Sequence, residues 1–189
     1  MGKTIIVSNR LPVKIIHEDD SFYYMPSEGG LATGLSSIYK EGDNLWVGWP
    51  GQSIKKEEEK VQIRSDLKHE NMIPVFLTKR LIENFYEGFS NDTIWPIFHY
   101  FLQYANFDHD LFDAYVEANK IFCDAVLEVA TDEDTIWIHD YQLLLLPQMV
   151  RKKLPNVGIG FFQHIPFPSY EVFRMIPWRK KILRGMLGA

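Results

Sequence analysis

The stretch that most constrains the fold is Thr135-Ile136-Trp137-Ile138-His139-Asp140-Tyr141, an apolar run that ends abruptly in two ionisable side chains. β-branched and aromatic residues following the acidic turn Asp132-Glu133-Asp134 read as a strand buried on both faces, as in a parallel sheet. His139 and Asp140 then stand at its carboxyl end, and open α/β sheets bind their ligands in the crevice beyond that end. Asp140 also suits the N-cap of a helix beginning near Tyr141. What favours a ligand site is that other strands in the chain end in the same way.

Thr4-Ile5-Ile6-Val7 reads as the first strand, and Ser8-Asn9-Arg10 follows at once. Arg10 is thereby a candidate anion clamp, because a planar guanidinium fork matches phosphate oxygens. Leu11 to Tyr24 alternates around His17-Glu18-Asp19-Asp20 and predicts a hairpin with an acidic turn. Ser27-Glu28-Gly29-Gly30-Leu31 precedes a helical pattern of Leu31, Leu35 and Ile38. Such a glycine pair serves a tight turn, or lets backbone N–H groups at a helix start approach an anion. Leu45 to Gly51 is a second strand whose alternation is expected to send Trp46 and Trp49 away from Val47. Trp49 either packs in the core or stacks on a sugar ring. Lys55 to Lys60 is a solvated mixed-charge run, and Met72 to Leu77 is expected to be a third strand.

From Thr78 to Tyr104 aromatic residues are dense; most should be core, with Tyr86 and Trp95 reserved for a site. Asp108 to Ala130 is the clearest helix. Gln142 to Lys153 reads as another, stopping before Pro155. Val157 to Phe162 is expected to be one more buried strand, followed by Gln163, His164 and a proline-fixed loop. Trp178 to Ala189 reads as an amphipathic helix. Three strands therefore end in Arg10, Asp140 and His164. Strands alternating with helices give an α/β, doubly wound, mainly parallel Rossmann-like sheet, with a small β-hairpin near the amino terminus.

The totals narrow the partners. A net charge of −5 without a basic stripe argues against nucleic acid. Hydrophobic residues at 46% and charged residues at 24% describe a globular chain, and 189 residues suit one domain. The lone Cys123 rules out an internal disulfide or a cysteine-based zinc site and fits a reducing compartment. No run approaches the roughly 20 apolar residues of a membrane span. With no leader or lipidation motif at the start, the expectation is a cytoplasmic protein without membrane contact.

Six motifs in order resemble the trehalose-6-phosphate synthase family of retaining GT-B glycosyltransferases: Ser8 to Val13, Ser27 to Leu31, Trp46 to Gly51, Phe89-Ser90-Asn91 with Trp95-Pro96 and His99-Tyr100, Trp137 to Leu143, and Phe161 to Ser169. One departure is Tyr170, where the family usually has a second serine. The resemblance implies that residues 1–189 are the amino-terminal, acceptor-side domain, the second, nucleotide-sugar domain lying outside this chain. It further implies transfer of glucose from UDP-glucose to glucose 6-phosphate with retention, without cofactor or metal. Arg10 and Tyr86 would contact the acceptor, with Arg10 near its phosphate, and Trp95 would line the acceptor pocket. Asp140 would bind sugar hydroxyls and His164 the transferred glucose, these two being the catalytic candidates. Gly29 and Gly30 would approach the donor, and a homo-oligomer is compatible with the family. The isolated chain is expected to be inactive. Two alternatives stand beside this reading: a non-catalytic module that senses glucose 6-phosphate, and another GT-B enzyme with a different acceptor.

Overall fold

The computed structural model describes residues 2–18, 21–27, 29–39 and 42–189, the side chains of 36–38 excepted. Asp19 and Asp20 of the expected acidic turn, Glu28 of the glycine motif and the side chain of Ile38 therefore lie outside the described residues.

Five parallel strands form the main sheet: β1 (Thr4–Arg10), β4 (Leu45–Trp49), β5 (Met72–Pro74), β6 (Thr135–His139) and β7 (Gly158–Phe162), in the order β5-β4-β1-β6-β7. The hairpin of β2 (Val13–Glu18) and β3 (Ser21–Pro26) pairs separately. The chain first winds from β1 outward to β5, then returns to the other side of β1 to lay down β6. Strand order thus reverses between β1 and β6, which is where a doubly wound sheet opens a crevice at its carboxyl edge.

Helices cover both faces. α1 (Gly30–Tyr39), α2 (Glu57–Lys68) and the hairpin enclose a smaller core around Ile6, Trp46, Ile63 and Leu67. On the opposite face lies α3 (Lys79–Leu81), which widens into a π-helix over Ile82–Ile94 and closes as α4 (Trp95–Phe98). Its buried positions, Phe85, Phe89–Ser90 and Thr93–Ile94, recur every four to five residues, as a wider helix requires. It packs on α5 (His109–Leu127), whose amphipathic spacing buries Phe112, Tyr115, Ala118, Phe122 and Val126. Asp108 caps α5 by accepting from the N–H groups of Asp110 and Leu111 at 2.7 and 3.3 Å. The mixed-charge run joins the exposed start of α2, where Lys60 pairs with Glu57 at 3.0 Å.

Several expectations are corrected. Val47 and Trp49 share one core while Trp46 faces the other, because side chains two apart lie on the same face of a strand. The third strand is only Met72–Pro74: Val75 donates to Gly48 O at 2.8 Å and the chain then leaves the sheet. The expected helix from Gln142 to Lys153 is a 3₁₀ turn, Tyr141–Leu143, followed by the short α6 (Leu146–Arg151), with Pro147 in its first turn. β7 is not a buried strand; it pairs only with β6 among the described residues and its ends are exposed. After α7 (Tyr170–Phe173), the terminal amphipathic helix α8 (Arg179–Met186) buries Ile182 and Gly185, its glycine meeting the backbone of Leu144 and Leu145. Trp178, just before it, stacks on Phe112 at 4.6 Å.

Candidate functional site

Arg10 is aimed by an irregularity in β1. Val7 pairs with Val47 but Arg10 pairs with Trp49, so β1 spends one more residue than β4 over this interval. Such a bulge re-aims the side chain that follows it. The Ser8 hydroxyl clips it, accepting from Trp46 Nε1 at 2.8 Å and donating to Arg10 O at 2.7 Å. Gly48 makes room: a Cβ there would sit 2.8 Å from Leu11 N and 3.0 Å from the Arg10 carbonyl carbon. The guanidinium lies over the Trp49 ring, 4.7 Å from its centroid, and against Gly51, whose φ of 96° favours glycine and where a Cβ would displace the guanidinium. Trp49 is itself 2% exposed, its ring engaged by Arg10 and, edge-on at 5.6 Å, by Tyr86. The structure therefore seats Trp49 beneath Arg10, and a sugar has no free Trp49 face to stack on.

Asp140 carries the strongest backbone anomaly at this edge. Its φ of 74° and ψ of 171° lie in a region that only glycine adopts without cost. Surrounding bonds impose it. Asp140 N donates to Phe162 O at 2.8 Å, and the carboxyl Oδ1 accepts from Tyr141 N at 2.9 Å and His164 N at 3.4 Å. One turn later, the Tyr115 hydroxyl donates to Tyr141 O at 2.7 Å and accepts from Leu144 N at 3.0 Å, while Asn119 donates to Gln142 O at 3.1 Å. Tyr141 in turn donates to Asn91 of the π-helix at 3.0 Å. Burial raises the Asp140 carboxyl above the ordinary carboxylate range, against the opposing pull of the Tyr141 N–H and of His164. Asp140 caps the 3₁₀ turn and also lines a cleft.

That cleft, about 230 Å³, is bounded by Arg10, Gly29, Gly30, Tyr86, His139 and Asp140, with Asn9 and Gln142 between them. α1 begins at Gly30, so its first N–H groups, which have no partner within a helix, open on this side. His164 is exposed and stands just behind, its Nε2 3.0 Å from His139 Nδ1. Trp95 is not among the lining residues; it stacks on His99 at 4.0 Å, 39% exposed.

Asn9 Oδ1, His139 Nε2 and both amide atoms of Gln163 are buried without a partner in the structure. Asn9 is the penultimate residue of β1, His139 the last of β6 and Gln163 the first after β7, so these atoms gather where the three strands end, while Tyr39, Ser90 and Asn119 carry the other buried unpaired atoms among the described residues. Buried polar atoms are normally paired, so four such atoms around three adjacent strand ends are a local departure from that rule. Sequence reasoning placed His139 and Gln163 at strand ends but gave none of these three residues a role, although the signal used for Arg10, Asp140 and His164 (a polar residue straight after an apolar run) applies to them as well. A larger cavity of about 580 Å³ lies behind α1, between the hairpin and α2, but its walls are mainly apolar and no carboxyl end of the five-stranded sheet reaches it.

The arrangement sets a cation, a carboxylate and the backbone donors of a helix start around one cleft, groups able to bind an anionic or hydroxyl-bearing ligand. The sequence model of glycosyltransferase family 20 matches residues 2–189. The α,α-trehalose-phosphate synthase (UDP-forming) of Pichia angusta is 44% identical over 199 residues, covering 99% of this chain and 42% of that protein. The 56 kDa subunit of the Saccharomyces cerevisiae synthase is 43% identical, covering 99% and 39% respectively. Among solved structures, the E. coli protein bound with UDP-2-fluoro glucose superposes with a TM-score of 0.78 at 31% identity, covering 99% of this chain and 38% of that one. A Burkholderia xenovorans synthase in complex with glucose-6-phosphate gives 0.78 at 28% identity, covering 99% and 39%. The chain spans about two fifths of the length of the relatives it matches.

Proposed function

The chain belongs to glycosyltransferase family 20, and on that premise we propose that it is the acceptor-side part of a trehalose-6-phosphate synthase. The whole protein would transfer glucose from UDP-glucose to glucose 6-phosphate with retention, releasing UDP. The observation that carries the reading is the seating of Arg10: a bulge, a tryptophan face and a glycine turn hold one guanidinium at the rim of a cleft floored by Asp140. A phosphate is the ligand group that rewards such a fixed cation.

Arg10 binds the acceptor phosphate, and Tyr86 closes the same pocket. Asp140 accepts from sugar hydroxyls; it is no covalent nucleophile. Gly29 and Gly30 present N–H groups to the donor, and His164 bonds the transferred glucose. Trp49 acts beneath Arg10, and Trp95 lines the acceptor pocket only where substrate or further chain reaches it. Positioning and charge stabilisation carry the rate, which requires donor and acceptor together in a water-poor cleft. The groups that hold the donor diphosphate belong to a second domain outside this chain, so residues 1–189 form one domain of a two-domain enzyme acting in the cytoplasm.

Calorimetric titration of the 189-residue chain tests this. Glucose 6-phosphate is expected to bind weakly and UDP-glucose barely, and tighter binding of UDP-glucose would reverse the assignment of the half-sites. A UDP-release assay with both substrates is expected to show no turnover; turnover would mean that the catalytic groups are all within this chain. Because Arg10, Tyr86 and Asp140 share the cleft in this chain, it by itself also answers to the description of a sugar-phosphate binding module.

A further inference from the structure

His139 has no role in the scheme above, yet it is the most enclosed titratable side chain at the carboxyl edge, 1% exposed. Its ring is fixed by Trp137, with centroids 4.6 Å apart, and by Phe162 at 6.4 Å. Nδ1 lies 3.0 Å from His164 Nε2, and Nε2 is buried with no partner.

A hydrogen bond between two ring nitrogens holds one proton, so one ring donates and the other accepts. Burial keeps His139 uncharged, its pKa lowered to about 4, first by loss of hydration and then by the neighbouring His164. Were His164 Nε2 the donor, the single proton of neutral His139 would have to sit on Nε2. A buried N–H would then face no acceptor, the rarest kind of unsatisfied group in folded proteins. Were His139 Nδ1 the donor, only a bare lone pair would be left on Nε2, the lesser fault. The second arrangement has a consequence for His164: its Nε2 accepts, so its own proton is confined to Nδ1.

We propose that His139 is a positioning residue, which by donating from Nδ1 holds His164 as the neutral tautomer protonated on Nδ1. His164 then offers a hydrogen-bond donor from its exposed edge, suited to a hydroxyl oxygen of the transferred sugar. That use of the donor rests on the glycosyl-transfer reading; the tautomer does not. Asp140 is the other titratable group at this turn, and its Oδ1 meets the His164 backbone N–H, so the carboxylate fixes the position of His164 while His139 fixes its proton.

The test reads the tautomer directly, by two-bond ¹H–¹⁵N correlation of the imidazoles in the ¹⁵N-labelled 189-residue chain at neutral pH. The wild-type His164 is expected to be protonated on Nδ1. His139→Phe, which keeps a ring but removes the donor, should move His164 mostly to the Nε2–H form. His139→Asn, whose amide nitrogen falls near the former Nδ1, should restore the wild-type form. If the phenylalanine variant fails to fold, His139→Gln, whose amide reaches the Nε2 position instead, should release His164 in its place. A wild-type His164 protonated on Nε2, or one tautomer in all variants, overturns the proposal. Failure of the chain to bind sugar phosphate, with the tautomers as stated, would overturn the functional reading and leave this one standing.

Discussion

Asp134 and Asp140 flank the same strand, β6, and their environments are opposites. Asp134, at the amino end, is 4% exposed and accepts from Lys3 N at 2.9 Å, Lys3 Nζ at 3.2 Å, Thr131 N at 2.8 Å and the Thr131 hydroxyl at 3.1 Å. Burial pushes its carboxyl upward, but the Thr131 and Lys3 donors outweigh that and hold it below the ordinary range. Asp140, at the carboxyl end, has a strained backbone, two bonds on one oxygen and a raised pKa. The amino edge latches β1 to β6 through a carboxylate whose two oxygens accept four bonds. Along the carboxyl edge, strain and unanswered groups accumulate. One sheet thus separates the latch from the proposed ligand cleft along the length of its strands, and each end can be perturbed alone.

The sharpest test removes the latch. Asp134→Ala should cost about 3 kcal/mol of folding stability, since hydrogen bonds to a charged group contribute roughly 1.5–3 kcal/mol each and are not fully additive. Urea denaturation measures it, and sugar-phosphate binding to the remaining folded protein should be unchanged. A loss below about 0.5 kcal/mol, the level of an ordinary surface substitution, would erase the contrast between the two ends.

Arg10→Ala should act at the other end alone. Glucose 6-phosphate should bind roughly 10- to 100-fold more weakly, glucose almost as before, because a neutral sugar cannot form the charge-assisted bonds. Asp140→Asn should weaken both sugars comparably. Equal losses for both sugars in Arg10→Ala would make Arg10 a structural residue of the bulge.

Asp140→Gly should weaken sugar binding and cost far less stability than Asp134→Ala. Relief of about 1–3 kcal/mol of backbone strain offsets the roughly 0.5–1 kcal/mol entropic disadvantage of glycine and the loss of the bonds from Tyr141 N and His164 N. A stability loss on denaturation as large as that of Asp134→Ala would show that the φ of Asp140 stores no strain.

The smallest effect is on pH dependence, and its signs are opposite. The lowered pKa of Asp134 means that the unfolded chain binds more protons than the folded one, so its contribution is present above the unfolded carboxyl value and lost as pH falls. The raised pKa of Asp140 means that the folded chain holds its proton longer, so that group favours folding at low pH and disfavours it as pH rises. Between about pH 3 and 6, where carboxyl groups titrate, the urea midpoint of Asp134→Ala should rise less with pH than wild type, and that of Asp140→Asn should rise more. Parallel curves for the two variants would remove the electrostatic half of the comparison.

Much of this site could be read from the chain. The abrupt change from apolar to polar after Val7, Ile138 and Phe162 marked the carboxyl edge, because a buried strand must be apolar and its exit need not be. That rule does not reach Trp49 or Trp95, since an aromatic residue serves equally as core, as the seat of a cation or as part of a ring stack. Nor does it reach the π-helix, whose wider spacing has no template in a search for periods of two and 3.6. The helix expected over Gln142 to Lys153 was overestimated because side-chain bonds from Tyr115 and Asn119 replace the backbone bonds of its first turn.

What the sequence by itself determined is the alternation of strands and helices, the residues at the strand ends and the family to which they belong. These follow from local periodicity and side-chain chemistry, which a linear string carries in full. Only the tertiary structure decided where Arg10 points, how Asp140 is strained, which way each aspartate titrates and which imidazole nitrogen faces another. Each of these is fixed by a partner distant in the chain, Trp46 on Ser8 across 38 positions or His164 on His139 across 25, and burial and hydrogen bonding between such partners exist only once the sheet has closed.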